Sequence, residues 1–304
     1  MGKTSGASLA RAVPGCHAAA SGSSDPVRAG RPRVPEEPES VIAATARPVA
    51  LVTGASSGFG TEFAHRFAAR GHDLVLVARR RDRLDALAAT LAAEHGATAT
   101  VLPADLADPA APARLVTELA TRGIRVDVLV NSAGFGTYGP FEAEDPARIA
   151  DEVQVNVAAV TLLSRLLMPD LLAAPSGVLL NVTSTAAYQP GPSFAVYAAT
   201  KAYVRSLTEA IWQEHRGSRL RVLALAPGPT ETEFFEAAGS DGFNVGQMLT
   251  VPQVVDVAFR ALDRRDPPPS VVAGAQNRVT AVAAALAPRR LTLWVAGRLT
   301  GGGS

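Results

Sequence analysis

The sequence predicts an α/β protein in which one domain is built on a doubly wound, seven-stranded parallel sheet. Three observations carry that expectation. From Pro48 onward, short Val/Leu/Ala-rich runs alternate with longer amphipathic stretches, the pattern of repeated βα units around a sheet. A glycine-rich turn follows the first run directly. The alternation continues unbroken to about residue 274, and right-handed crossovers then lead to one sheet and not to two domains.

In order, the strands are expected at Val49–Thr53, Asp73–Ala78, Thr98–Pro103, Val126–Asn131, Gly177–Thr183, Arg221–Ala226 and Ser270–Ala273. Helices fill the intervals. Asp82 precedes one over Arg83–Glu94, Asp108 precedes one whose first residue is Pro109, and Asp145 one that begins at Pro146. An aspartate oxygen accepts an orphan N–H at a helix start, and proline has none to leave unpaired. Gly71, Gly96 and Gly123 stop three helices.

Composition bounds the rest. With 304 residues, 47% of them hydrophobic, and a mean hydropathy of +0.14, the chain can bury a large core. The 29 basic and 28 acidic residues are interspersed, for a net charge of +1, so no field for nucleic-acid binding is present. Cys16 stands alone, which excludes a disulfide framework or a cysteine zinc site and suits a reducing, cytoplasmic setting. The five histidines show no metal-ligand spacing and are read as structural, with no metal expected.

The two ends read differently from the middle. Residues 1–46 are rich in Ala, Gly, Pro, Ser and Arg without periodicity, and are expected to be a disordered tail whose prolines interrupt any export signal. Residues 47–274 are expected to form the one folded domain, and 275–304 a helical extension with a glycine-rich end. Within that extension Pro288, Arg289 and Arg290 cut the apolar run Val279–Leu299 into pieces too short to span a bilayer. Those pieces are read as core or subunit packing, with membrane-surface contact the lesser alternative.

The glycine-rich turn holds Thr53, Gly54, Ser56, Ser57, Gly58, Phe59 and Gly60, between a strand and a helix. Glycines there let backbone N–H groups approach a pyrophosphate at the helix N-terminus, so a bound dinucleotide is expected. The second strand ends at Ala78, followed by Arg79, Arg80 and Arg81. An acidic residue would suit the ribose hydroxyl of NAD; arginine suits a 2′-phosphate through bidentate bonds, so NADP(H) is preferred over NAD(H).

Further along, Tyr197 and Lys201 lie four apart in a helical stretch that runs to about His215, hence on one face. A phenol is a poor acid or base near neutrality, and a neighbouring cation is expected to lower its pKa. Lys201 is the only lysine besides Lys3 in a chain that otherwise uses arginine, so the position calls for an ammonium. Ser184 follows the strand at Gly177–Thr183, at the sheet edge where such sites assemble.

With these residues in this order, the chain resembles the short-chain dehydrogenase/reductase family over about Arg47 to Gly274. Thr53 to Gly60, Asp105-Leu106, Asn131-Ser132-Ala133-Gly134, Asn156, Ser184, Tyr197 with Lys201, and Pro227-Gly228 carry the resemblance. Residues 254–300 are similar to bacterial members grouped with ketoacyl and hydroxysteroid reductases. The resemblance implies a Rossmann-type sheet ordered 3-2-1-4-5-6-7 and hydride exchange between a nicotinamide and a carbonyl or alcohol carbon. It implies that Tyr197 protonates the carbonyl oxygen, Ser184 bonds it, Lys201 holds the ribose, and Asn156 shapes a water chain to Lys201. Asp105 would meet the adenine and Asn131 the adenosine ribose or backbone nearby, with Leu106, Ala133 and Gly134 also among the cofactor-binding residues. Pro227, Gly228, Thr230 and Thr232 would lie by the nicotinamide and phosphates. Ser132 departs from the family's usual second asparagine.

Phe234, Phe235 and Phe243 with Met248 fall in a segment, about 229–250, where the family places a lid; packing beneath a loop competes with that reading. If they line the pocket, the small-molecule carbonyl or alcohol substrate is apolar. The resemblance also implies a homodimer or homotetramer, assembled through the helices near Asp145–Leu172 and Ala195–Arg216. A non-catalytic dinucleotide sensor on the same fold is the alternative function.

Overall fold

A computed structural model describes residues 47–230 and 248–299. The expected tail at 1–46, Thr232, and the aromatic residues Phe234, Phe235 and Phe243 therefore lie outside the described residues. Among the described residues the strands are β1 (Val49–Thr53), β2 (Asp73–Ala78), β3 (Ala99–Pro103), β4 (Val128–Asn131), β5 (Val178–Val182), β6 (Arg221–Ala226) and β7 (Ser270–Val272). All are parallel, in the order β3-β2-β1-β4-β5-β6-β7. The order reverses direction between β1 and β4, which opens a crevice at the carboxyl ends of those two strands.

The period-two pleat explains why the strands read as continuous apolar runs. Ala50 and Val52 of β1 face one layer, with Phe63 and Phe67 of α1 (Gly58–Ala69), Leu84 and Leu91 of α2 (Arg81–His95), and Val254 and Phe259 further on. Leu51 between them faces the other layer, with Leu115 and Leu119 of α3 (Ala111–Thr121) and Leu163, Leu167 and Leu171. Both faces of the sheet are thereby dry.

After β4 the chain runs through α4 (Pro146–Val153), a π-helical turn at Gln154–Ala159, and α5 (Val160–Ala173) as one helical column. By length and apolarity this column could cross a membrane, but Leu163, Leu167 and Leu171 seat it on the sheet. Then come α6 (Ala195–Glu214), α7 (Val251–Leu262), α8 (Ala275–Leu286) and α9 (Arg289–Leu299).

Asp145 caps α4 as expected, accepting from the Ala147 N–H. Gly96 ends α2 in the left-handed region at φ 60°, and Gly71 and Gly123 follow α1 and α3 with φ of 84° and 66°. Two helix starts differ from expectation. The third helix begins at Ala111, not Pro109, because Asp108 turns its carboxylate onto the Ala110 N–H and closes a separate turn with its own carbonyl bonded to Ala111 N–H. The second begins at Arg81, which places Asp82 inside its first turn instead of before it. Strand ends are shorter by one or two residues than the apolar runs, as at Val128 and Val182.

Candidate active site

A cavity of about 510 Å³ fills the crevice. Its floor is the turn from β1 into α1. Gly54 has φ +68°, and a Cβ there would stand 2.9 Å from Ala133 Cα, so the turn and the loop after β4 touch backbone to backbone. A Cβ on Gly60 would fall 2.2 Å from the Gly54 carbonyl oxygen; only glycine lets the helix start this close to the turn. Ser57, the N-cap, makes no side-chain cap, and Ser56, Ser57, Gly58 and Phe59 line the cavity, which presents the positive end of α1 to it.

The other wall gathers residues far apart in the chain. Arg79, Arg80, Asp105, Leu106 and Ala133 line it, as do Ser184, Tyr197, Lys201, Pro227, Gly228 and Thr230, and Gly134 lies close against Lys201 and Asn156. Arg80 donates to Ser56 Oγ from Nε at 3.3 Å and Nη2 at 3.1 Å, which fixes its guanidinium beside the glycine turn; Arg79 is exposed at the rim. This donor set fits a phosphorylated dinucleotide: glycine backbone and a helix N-terminus for the pyrophosphate, and an arginine pair beyond it.

Four expected contact residues stand behind the cavity wall instead. Thr53 is buried and ties two loops together, its Oγ1 accepting from Ser132 N–H at 3.0 Å and Ala133 N–H at 3.1 Å. Gly60 serves the packing just described. Asn131 donates from Nδ2 to Asn181 Oδ1 at 2.9 Å and Ser164 Oγ at 3.2 Å, which spends that amide nitrogen on the core beneath the cavity. Asn156, in the π-helical turn, spends its amide on the Phe135 backbone and Thr200: Oδ1 accepts from Phe135 N–H at 3.2 Å, and Nδ2 donates to Phe135 O at 2.8 Å and Thr200 Oγ1 at 3.1 Å. It holds the loop after β4 against α6. Met248 is exposed and is not part of the cavity.

Ser184 caps a short 3-10 turn, accepting from Ala186 N–H at 3.1 Å, and its hydroxyl is left to donate to the Tyr197 oxygen. Lys201 Nζ donates to the Val182 carbonyl at 3.0 Å and lies 5.7 Å from the centroid of the Tyr197 ring. Both are buried. Burial pushes the Tyr197 hydroxyl up to about 12, against the opposing bond from Ser184, and the Glu152 field adds to the rise. Burial pulls the Lys201 ammonium down to about 8, while Glu152 works in the other direction. Burial, not Lys201, dominates the Tyr197 value here: a dry site penalises the phenolate, and the expected lowering by the ammonium is not among its causes.

Several lining residues carried no signal in a local motif. Phe194 follows Ser193, whose φ of 66° is a left-handed conformation unusual outside glycine, and the turn aims Phe194 into the cavity. Arg148, Asp151 and Val155 come from the helical column. Asn277, Thr280, Ala281 and Ala284 of α8, with Ala296 of α9, close the far side. The C-terminal pair, expected in a core or subunit contact, turns one face to the cavity and the other to solvent. Asn277 packs on Gly228, where a Cβ would meet its Nδ2 at 2.3 Å.

Glu152 was also missed. It is fully buried, four residues before Asn156 on the same column. Thr137 Oγ1 lies 2.9 Å from Glu152 Oε2 and 2.6 Å from Glu144 Oε2. A hydroxyl has one proton to give, so one of the two contacts is donated by a protonated carboxyl. Burial pushes Glu152 up to about 7, with Glu144 adding to the rise and the Thr137 bonds and Lys201 opposing it. Elsewhere, His65, Glu94 and His95 meet between α1 and α2 with ligand atoms within 4.8 Å of one another, outside the cavity.

The family model for short chain dehydrogenase matches residues 48–242. A short chain dehydrogenase from Pseudocercospora fijiensis is 34% identical over 197 residues, 64% of this chain and 63% of that protein, so the match spans less than two thirds of the relative's length. A structure of a short-chain dehydrogenase from Sphingobium yanoikuyae in complex with NADPH superposes with TM-score 0.70 at 35% identity, covering 82% of this chain and 95% of the other. A bulky-bulky ketone specific alcohol dehydrogenase from Comamonas testosteroni gives TM-score 0.66 at 30% identity, covering 83% and 95%.

Proposed function

The chain belongs to the short-chain dehydrogenase family, and from that premise we propose that it is an NADP(H)-dependent oxidoreductase that interconverts a hydrophobic ketone or aldehyde and its alcohol. The observation that carries the reading is Ser184, Tyr197 and Lys201 standing together in the cavity whose floor is the glycine turn. When bound, the nicotinamide supplies or accepts the hydride.

The chain's own groups handle the oxygen. As a carbonyl oxygen gains negative charge, Tyr197 gives it the phenolic proton, and Ser184, whose oxygen is already held by Ala186 N–H, donates to the same charge. The raised Tyr197 value keeps that group in its acid form near neutrality, the form that reduction needs. Lys201, anchored on the Val182 carbonyl, would hold the ribose of the cofactor and return a proton.

Arg80 beside Ser56, with Arg79 at the rim, supports NADP(H) over NAD(H), as does the NADPH-bound neighbour. Phe135, Val155, Phe194, Ala281, Ala284 and Ala296 give the cavity an apolar lining, which supports an apolar substrate. Exposed Leu162, Leu166 and Tyr203 on α5 and α6 support assembly into a dimer or tetramer through those helices. With one cysteine, the chain suits the cytoplasm.

The test is a panel of carbonyls and alcohols with NADPH and NADH, read by nicotinamide absorbance. Turnover of bulky apolar ketones with NADPH is expected. Faster reduction of small polar carbonyls would overturn the substrate class, and equal use of NADH the cofactor preference.

A further inference from the structure

The C-terminal pair α8 and α9 is amphipathic in an unusual sense: its inner face closes the cavity and its outer face is apolar and open to solvent. On α8, Val279, Val282 and Leu286 are 68%, 49% and 81% exposed; on α9, Leu291, Trp294 and Val295 are 51%, 54% and 40% exposed. Val279, Val282 and Leu286 fall three and four apart, and Leu291 stands three before Trp294 and four before Val295, so each trio lies on one side of its helix, away from the buried Asn277, Ala281 and Ala296. Thr292 Oγ1 ties the helices, standing 3.4 Å from the carbonyl oxygens of Ala284 and Pro288.

Charge selects the occupant of this face. Residues 275–299 carry four arginines, Arg278, Arg289, Arg290 and Arg298, and no aspartate or glutamate, in a chain that is otherwise balanced. All four are exposed, and Arg298 stacks 3.9 Å over the Trp294 ring. A second copy docked on the same face would oppose cation to cation. Apolar side chains with a tryptophan, rimmed by arginines, fit the interfacial zone of a bilayer with anionic headgroups.

We propose that α8 and α9 dock this protein on an anionic phospholipid surface, with the cavity directly behind the docked face. The docking stands on the surface alone; delivery of an apolar substrate through it rests on the function proposed above.

The test is sedimentation of the full chain with vesicles of phosphatidylcholine, alone or mixed with phosphatidylserine, without substrate or cofactor. The mixed vesicles are expected to bind it at least tenfold better. Arg289→Gln with Arg290→Gln should cut that partitioning by roughly 25-fold, at about fivefold per arginine. Val279→Asp with Leu286→Asp, both at exposed positions, should cut it at least roughly tenfold while leaving the melting temperature in place. Trp294 emission should shift to the blue on binding, and the shift should vanish in Trp294→Phe. Absence of binding to either vesicle, equal binding to both, or insensitivity to the paired aspartates would overturn the proposal. So would a drop in solution mass caused by the aspartates in a chain that does not bind vesicles, which would assign the face to a second copy. Vesicle binding by a chain that reduces no carbonyl would leave the docking standing and sink only the function.

Discussion

Lys201 places its Nζ 5.7 Å from the centroid of the Tyr197 ring, one helical turn along, while it donates at 3.0 Å to the Val182 carbonyl. The ammonium is therefore tethered to the end of β5 and not to the phenol it serves. Proton delivery to and from Tyr197 depends on what lies between, and the two groups titrate in opposite directions from their ordinary values for one reason, the dryness of the site.

Tyr197→Phe removes only the hydroxyl from a ring packed with Phe194 and Ala198. The fold should hold, and kcat for carbonyl reduction should fall by roughly 100- to 10,000-fold. NADPH absorbance in steady state checks it; unchanged turnover would remove Tyr197 from the chemistry.

Arg80→Ala deletes the guanidinium held by Ser56. The Kd for NADPH should rise by roughly 10- to 100-fold, the worth of a charge-assisted bond or two, while that for NADH changes little. Arg79→Ala, at the exposed rim, should show the same preference with a smaller effect. Fluorescence titration with both cofactors measures it.

Gly134→Ala would place a Cβ 2.9 Å from Asn156 Oδ1 and 3.1 Å from Lys201 Nζ. Displacing those groups should lower kcat by on the order of 100-fold, as small misplacements in a catalytic array do. Gly139→Ala, whose Cβ meets nothing within 4 Å, is the matched control and should leave activity unchanged.

Glu152→Gln tests the buried carboxyl. Its folded value of about 7 lies above the ordinary 4.5, so between those pH values the folded chain holds a proton that the unfolded chain has lost. Stability should therefore fall as pH rises from 4.5 to 7, and Glu152→Gln should flatten that slope by on the order of 2 kcal/mol. The variant also removes the negative field that supports the Lys201 ammonium, so any alkaline loss of activity governed by Lys201 should move to lower pH. Denaturant titrations and pH–rate profiles give the two readouts, and a wild-type slope retained in the variant would contradict the assignment.

The legible part of this protein was what repeats or lies close together in the chain. Seven apolar runs predicted the seven strands, since burial on both faces writes itself into consecutive residues, while their order in the sheet was legible only through the family resemblance. Gly54, Gly58, Tyr197 and Lys201 were legible because a tight turn and a shared helix face are local properties. The helix start at Asp108 was displaced because an aspartate oxygen can close a turn as readily as cap a helix.

By itself the sequence determined the sheet, the turn that meets it and the pairing of Tyr197 with Lys201, all set by backbone periods of two and about four residues. Only the tertiary structure decided that Asn131 and Asn156 brace the wall from behind, that Glu152 is buried near Lys201, and that α8 and α9 close the cavity. Those outcomes depend on which side chains are brought together from distant positions and on how much water is left between them, and no local pattern of residues encodes either quantity.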